Sequence, residues 1–220
     1  MHKNSNSLLT AYLCCIVWWI TCLMLVKWVR DWRMTTQLQK NPDSHWKHIQ
    51  AYTVNQKWLH ASYIYSIIHA LALICLNFYA SFQCDPPTAY RSPEGTFFGN
   101  TVYTNEWCVD NCNWWECFTV SVFMAYLTVD FFVCYYLIDD QSAGAFENYF
   151  HHFIGLVGSM CAFIVGRSIM TLSSATCVTE LSTPFVSLRA LLSGHKKTGM
   201  VYIVNGLLMT FGFFIFRCVF

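Results

Sequence analysis

The chain has 220 residues, of which 55% are hydrophobic, 18% aromatic and only 11% charged, and its formal net charge is +1. Soluble domains carry about 25% charged residues, so the composition excludes an ordinary soluble domain and predicts a helical protein that crosses a membrane several times. The near-neutral charge gives no electrostatic basis for binding nucleic acid, and we expect no nucleic-acid partner. The predicted fold class is all-α, a polytopic transmembrane helical bundle.

Windows of about twenty apolar residues predict about six membrane spans. The first lacks a small-residue cleavage site and is expected to be a retained helix or signal anchor. The fifth is interrupted by Glu180 and Pro184, and a proline kinks a helix because it removes a backbone donor. The predicted spans are Leu8–Val26, Ala61–Phe82, Cys117–Ile138, Tyr149–Val165, Ile169–Leu192 and Val201–Phe220.

Positive charges in the short loops predict the orientation. The segment Lys27–His60 holds six Lys and Arg residues, whereas the loop Gln83–Glu116 holds only Arg91. We therefore place the first segment on the cytosolic or matrix side, called the Lys-rich side below, and the loop on the opposite side. The polar part of the first segment, Asp31–His60, is expected to be a surface-lying helix or a loop.

Four of the twelve cysteines bracket the polar loop, and they could form disulfides if that loop faces an oxidising compartment. The other eight lie in apolar runs, where a cysteine is usually a small packing residue. The C-x3-C spacing of Cys108 and Cys112 also permits metal binding, but no second ligand pair of zinc type follows. We expect no metal and no cofactor. The candidate disulfide residues are Cys84, Cys108, Cys112 and Cys117.

Polar side chains from five predicted spans fall in the half of the membrane on the Lys-rich side, at about 1.5 Å of rise per residue. A charge at the membrane centre costs at least about 2.5–3.5 kcal/mol, so such residues usually face an interior or a wet cavity. Each also has a structural reading, such as a histidine bound to a backbone carbonyl or an arginine that snorkels. The candidates are His69, Asp130, His151, His152, Glu180, Arg189 and Asn205.

His151 and His152 are adjacent, so their side chains point about 100° apart on a helix. We expect one to face the cavity and the other the interface.

Around these residues the sequence resembles the TLC-domain membrane proteins, a group that includes the ceramide synthases. It is most similar to the smaller members that are not ceramide synthases. The resemblance covers roughly residues 45 to 218, and it predicts an N-terminal transmembrane helix with a polar linker over 1–44 and a TLC-like domain over 45–220. The matching stretches are SIIHAL around His69, YLTVDFF around Asp130, FHHFIGL at His151 and His152, TELSTPFVSLR from Thr179 to Arg189, NG at Asn205–Gly206, and Arg217.

The resemblance implies helices around a central cavity that opens toward the cytosolic side. In ceramide synthases that cavity takes a long acyl chain and paired histidines serve acyl transfer; His151 and His152 match the first pair. The second signature, H-D-x2-D, is absent, and SSATCVTELSTP stands in its place. The family also continues beyond the arginine matching Arg217 into a final helix. Without that helix the bundle would have a seam open to lipid. We expect the seam to be filled by another protein or by lipid, or the chain to be truncated.

Three functions follow from these observations. The first is a membrane protein that binds or handles lipid in an intramembrane cavity and has no assigned catalytic residue. The second is a structural or accessory subunit of a larger membrane complex, such as a respiratory assembly. The third is an acyl-CoA-dependent acyltransferase in which His152 is the base, aided by Asp130. The expected partners are membrane lipid and proteins that complete the bundle, in the endoplasmic reticulum or another endomembrane, with the mitochondrial inner membrane as the alternative.

Overall fold

The computed structural model describes residues 5–41, 46–91, 101–138, 143–166 and 168–215. Over these residues the regular elements are all helical and no strand is present, which confirms the all-α bundle. A π-helical turn, Cys134–Ile138, extends α5, and a 3-10 segment, Cys177–Ser182, joins α7 to α8. The α-helices are α1 (Ser5–Lys40), α2 (Trp46–Gln50), α3 (Val54–Ser81), α4 (Glu106–Asp110), α5 (Trp114–Val133), α6 (Ala143–Val165), α7 (Ser168–Thr176), α8 (Thr183–Gly194) and α9 (Met200–Phe214).

Among the described residues, three helices are long and apolar enough to cross a membrane: Ser7–Lys40, Val54–Ser81 and Trp114–Ile138. Two shorter apolar helices cover Tyr149–Val165 and Met200–Phe213. The protein is therefore an integral membrane protein, while the total of about six spans stays a prediction. Arg167 and Arg217 lie outside the described residues.

Helix α5 lies at the centre of the bundle. Of its most apolar window 72% is buried, against 44% for α3 and 17% for α1. It packs against α1, α3, α6 and α7. Trp19 of α1 is buried against it and donates its indole N–H to the carbonyl oxygen of Val122 at 3.2 Å. Most side chains on α5 are thus surrounded by helices, and a polar residue on its buried faces is sheltered from lipid.

The polar part of the first segment is more helical than the sequence suggested, because α1 continues through Lys40. Lys27 and Asp31 form an i,i+4 ion pair at 3.1 Å, which supports this part of the helix. Arg30 is buried and donates to the backbone carbonyl of Lys57, at the start of α3. No proline occurs in α1, and Pro42 follows it. A proline disfavours helical geometry for the residue before it, so the helix ends here.

The predicted fifth span is divided at the position of Glu180 and Pro184. Helix α7 ends at Thr176, and the 3-10 segment Cys177–Ser182 packs against α3. Pro184 lies in the first turn of α8, where its missing N–H would have no partner in the helix. The chain therefore changes geometry between α7 and α8 and places Glu180 in a short irregular segment beside α3.

The described part of the cysteine-containing loop folds over the ends of α3 and α7. The amide of Val102 donates to Ser81 at 3.0 Å, and the Thr171 hydroxyl donates to the carbonyl of Val109 at 3.1 Å. The Tyr103 hydroxyl donates to Asn77 at 3.0 Å. Burial raises the pKa of the Tyr103 phenol above its ordinary value, so this group stays a neutral donor. The loop is thereby fixed to the membrane-spanning helices.

Candidate functional site

Asp130 is the centre of a buried polar cluster formed by three helices. This residue of α5 is only 3% exposed. Its Oδ1 accepts a hydrogen bond from the Ser62 hydroxyl of α3 at 3.0 Å. Its Oδ2 lies 3.4 Å from Nδ1 of His152 on α6 and 3.6 Å from Sγ of Cys134. We call Ser62, His69, Tyr126, Asp130 and His152 the Asp130 cluster.

The two adjacent histidines on α6 point to different environments. His152 is 7% exposed and faces Asp130, whereas His151 is exposed. The separation of 3.4 Å between His152 and Asp130 is within ion-pair distance, but the ring nitrogen is not oriented for a hydrogen bond. The structure therefore places the His152 imidazole against the Asp130 carboxylate without a hydrogen bond between them. Of the two matching histidines, His152 is the one that can act with Asp130.

His69 lies inside the same cluster and is fully buried. Its ring stacks on Tyr126 with the centroids 3.5 Å apart, and it meets the Trp19 ring edge to face with the centroids 5.3 Å apart. Within the described residues, neither ring nitrogen has a hydrogen-bond partner. A buried polar group without a partner is costly, so a histidine bound to a backbone carbonyl does not describe this residue. The two free nitrogens are the least satisfied polar atoms of the cluster.

Tyr126 joins the two histidines, although the sequence reading did not include it. Its hydroxyl lies 2.9 Å from the Ser66 hydroxyl, and its ring centroid lies 6.4 Å from that of His152. It precedes Asp130 by four residues and therefore shares its helix face. That spacing was a usable signal. Ser62, by contrast, is a small residue on a different helix, and no sequence spacing links it to Asp130.

Glu180 is buried in the 3-10 segment and interacts electrostatically with Tyr126 of the Asp130 cluster. It is 6% exposed, and its Oε2 accepts a hydrogen bond from the Thr183 hydroxyl at 2.7 Å. Thr183 is the first residue of α8 and Glu180 precedes it by three residues, where a carboxylate is favoured by the positive end of the helix. The geometry gives Glu180 a local role at the junction between the 3-10 segment and α8.

Asn205 and Arg189 connect α9 with α8. The Asn205 amide donates to the carbonyl of Phe185 at 2.8 Å, while its Oδ1 has no partner among the described residues. The Arg189 guanidinium lies over the Tyr202 ring, 4.3 Å from its centroid. Gly206 provides the space, because a Cβ at that position would collide with the Arg189 guanidinium. The contacts of these two predicted site residues are therefore with α8 and α9.

A family profile described as the TLC domain matches residues 59–220, most of the chain. The chain belongs to the TLC domain family. All seven polar candidates, from His69 to Asn205, lie inside the matched TLC domain. No curated protein and no solved structure matches the chain.

The TLC domain contains a second histidine pair that the sequence reading missed. Nε2 of His60 lies 3.2 Å from Nε2 of His195, so the start of α3 meets the end of α8. The Tyr52 hydroxyl strengthens this contact by donating to the carbonyl of Gly194 at 2.8 Å. Both histidines border predicted spans at the Lys-rich side, and that shared position is the signal that could have found them. This contact joins α3 to the end of α8 at this end of the bundle.

The four loop cysteines form two neighbouring pairs. Cys84 and Cys108 are joined in a disulfide. Cys112 and Cys117 are not joined, and their Sγ atoms lie 3.8 Å apart. Among the described residues, no group of three or more His, Cys, Asp or Glu side chains could hold a metal ion.

Proposed function

We propose that this TLC-domain protein binds a membrane lipid whose polar headgroup meets the Asp130 cluster. One observation carries the proposal: His69 is buried with two unpartnered ring nitrogens and stacks on Tyr126, one helical turn along α5 from the Asp130–His152 contact, inside the membrane-spanning bundle. Ionisable groups at this depth are costly and are functional candidates by default. A lipid headgroup would supply the hydrogen bonds that these groups lack.

The surroundings of His152 favour a ligand that comes from the bilayer. Helix α6 exposes apolar side chains on the face opposite His152, among them Phe150, Phe153 and Val157. His151 is also exposed and directly precedes His152 in the chain. The exposed His151 imidazole thus lies next to the buried contact between His152 and Asp130. A headgroup held there would leave its acyl chains among the apolar side chains of α6.

The test is the amount of lipid that co-purifies with the protein. We expect His152→Gln combined with Asp130→Asn to lower bound lipid tenfold or more, because one hydrogen bond to a charged group contributes about 1.5–3 kcal/mol. The amide in Asp130→Asn still accepts from Ser62, so the helices should remain assembled. Lipid would be quantified by mass spectrometry of extracts from the purified, folded variant.

The matched control is Asn205→Leu, which removes an intramembrane polar group outside the cluster. Its lipid content should equal that of the parent protein. Unchanged lipid in the folded Asp130/His152 variant would refute the proposal. Native mass spectrometry of the endogenous protein adds a second readout: stoichiometric retention in a large assembly without lipid would favour the subunit function.

The acyltransferase function is supported by one feature, the position of Asp130 beside Nδ1 of His152. A carboxylate at one ring nitrogen leaves the other nitrogen available to take a proton from a nucleophile. The missing H-D-x2-D signature argues against this function. It requires acyl-CoA-dependent acylation of an amine that is lost in His152→Ala, and purified protein with no such activity would exclude it.

A further inference from the structure

The beginning of α5 is fixed by a reciprocal pair of hydrogen bonds between side chains and backbone. The Glu116 amide donates to the Asn113 side chain at 2.9 Å, and the Asn113 amide donates to the Glu116 carboxylate at 2.8 Å. This is a capping box with Asn113 as the N-cap. Cys112 then precedes the cap, and Cys117 is the fourth residue of the helix. In many helices an apolar pair at these two positions makes contact and fixes the angle at which the chain enters the helix, an arrangement called the hydrophobic staple.

In this protein both staple positions carry sulfur. The Sγ atoms of Cys112 and Cys117 lie 3.8 Å apart, which is contact distance. A disulfide needs an S–S separation of about 2.05 Å, so rotations of the two side chains can close the gap. Cys117 is 6% exposed and Cys112 is half-buried. The pair is therefore held together by the fold, and Cys112 is its more accessible member.

The same loop already contains a disulfide, Cys84–Cys108, and it lies opposite the Lys-rich side. Disulfides persist in oxidising compartments and are rare where thiols are kept reduced. The environment that oxidises Cys84 and Cys108 also surrounds Cys112, four residues farther along the chain. Geometry and compartment thus favour the same chemistry at the second pair.

We propose that Cys112 and Cys117 form a second disulfide, a covalent staple at the start of α5. The oxidant is a disulfide, either a small molecule or one carried by an oxidoreductase. The Cys112 thiolate attacks it, its S–S bond breaks, and one thiol leaves. The Cys117 thiolate then attacks the mixed disulfide, which forms the Cys112–Cys117 bond and releases the second thiol. Two electrons pass to the oxidant, and the two thiol protons end on the released thiols.

The disulfide would stabilise a helix start that contains an unfavourable buried carboxylate. Glu116 is fully buried, and its Oε1 has no hydrogen-bond partner among the described residues. If the first turn frayed, the capping box that satisfies the other oxygen would open. The ring closed by the disulfide is short, so its effect is local and should be seen in the first turn of α5.

The test is differential alkylation of the full-length protein. Membranes are quenched in acid, denatured and treated with N-ethylmaleimide, then reduced and treated with a heavy-isotope form. Denaturation before labelling prevents burial from imitating oxidation. Cleavage before Asp110 and after Trp114 or Trp115 separates Cys108, Cys112 and Cys117 into different peptides. We expect Cys112 and Cys117 to carry the heavy label, and Cys14, Cys75 and Cys161, which lie outside the loop, to carry the light one.

Light label on Cys112 and Cys117 would overturn the proposal, and it would do so whether or not Cys84 and Cys108 are protected. In Cys112→Ser we expect Cys117 to move to the light label, whereas the control Cys161→Ser should leave it heavy. A heavy Cys117 in Cys112→Ser would mean that it pairs with another cysteine, which also contradicts the staple. If Cys112→Ser does not accumulate, labelling of the unmodified protein alone decides.

Discussion

The Asp130 cluster and the contact between α8 and α9 both place polar side chains inside the bundle, but they use them differently. At α8–α9, the Asn205 amide donates to a backbone carbonyl and the Arg189 guanidinium lies on the Tyr202 ring. In the Asp130 cluster, both ring nitrogens of His69 and Nδ1 of His152 have no hydrogen bond within the described residues. The first set of groups joins two helices and leaves the Asn205 Oδ1 without a partner among the described residues, whereas three ring nitrogens lack one in the second set.

The two regions also differ in the free energies involved. Polar contacts between transmembrane helices contribute about 0.6 kcal/mol on average and about 1.7 at most. A charged side chain at the membrane centre costs at least about 2.5–3.5 kcal/mol. A single interhelical hydrogen bond therefore suffices to account for Asn205 but not for Asp130 with two histidines. Polar residues at membrane depth are best distinguished by which of their atoms are already satisfied.

The largest expected effect comes from Gly155, which lies on α6 three residues after His152 and on the same face. A Cβ at Gly155 would be 2.8 Å from Cδ1 of Leu127 on α5. Gly155→Leu should force α6 away from α5 and lower the free energy of unfolding by about 1–3 kcal/mol, the usual cost of overpacking. It should also move His152 away from Asp130 and reduce co-purified lipid. Thermal unfolding in detergent and lipid analysis measure the two effects.

Gly158 provides the matched control on the same helix. Apart from the nearby backbone of α6 and the two neighbouring residues, no atom of the described residues lies within 4 Å of a Cβ at this position, and Gly158 is exposed. Gly158→Leu should therefore leave stability and lipid content unchanged or slightly raise stability, because leucine is the better helix former. Equal losses in the two variants would show that α6 tolerates no larger residue anywhere and that contact with Leu127 is not the cause.

Much of the fold could be predicted because apolar windows and helix breakers are local signals. Pro184 and Glu180 indicated an interruption, and the chain does leave α-helical geometry at Cys177–Ser182. The extension of α1 to Lys40 could not be predicted from hydropathy. It depends on the contact of Arg30 with the carbonyl of Lys57 as well as on the local Lys27–Asp31 pair. The first of these is a tertiary contact.

The depth of the polar residues in the membrane could be predicted better than which of them lie together in one site. Adjacent positions on a helix point about 100° apart, so the sequence indicates that His151 and His152 differ but not which one faces inward. The packing of α6 on α5 decides this, and it places His152 beside Asp130. Likewise, depth places Asn205 and Asp130 in one layer, and in the structure the first bonds to Phe185 and the second to Ser62. Depth specifies a layer of the membrane and not a position around the bundle axis.

A smaller effect is expected at Asn205. Asn205→Leu removes the hydrogen bond to the Phe185 carbonyl, so it should lower the free energy of unfolding by about 0.6–1.7 kcal/mol. Lipid content should stay unchanged, since this residue only joins α9 to α8. Thr210→Val serves as the comparison, because the Thr210 hydroxyl bonds within α9 to Gly206 and should matter less. Loss of lipid in Asn205→Leu would place Asn205 in the binding site and remove the contrast between the two regions.

The smallest net effect is expected for Gly206→Ala. The new methyl group would displace the Arg189 guanidinium from Tyr202, with a loss of about 0.5–1 kcal/mol of cation–π attraction. Replacing glycine by alanine within a helix gains about 0.8–1 kcal/mol, so the two changes nearly cancel. A double-mutant cycle with Arg189→Gln separates them. In the Arg189→Gln background the cation–π attraction is already absent, so Gly206→Ala should raise the unfolding temperature. The same small change in both backgrounds would mean that Arg189 does not depend on Gly206, and that α8 and α9 are joined by Asn205 and apolar packing alone.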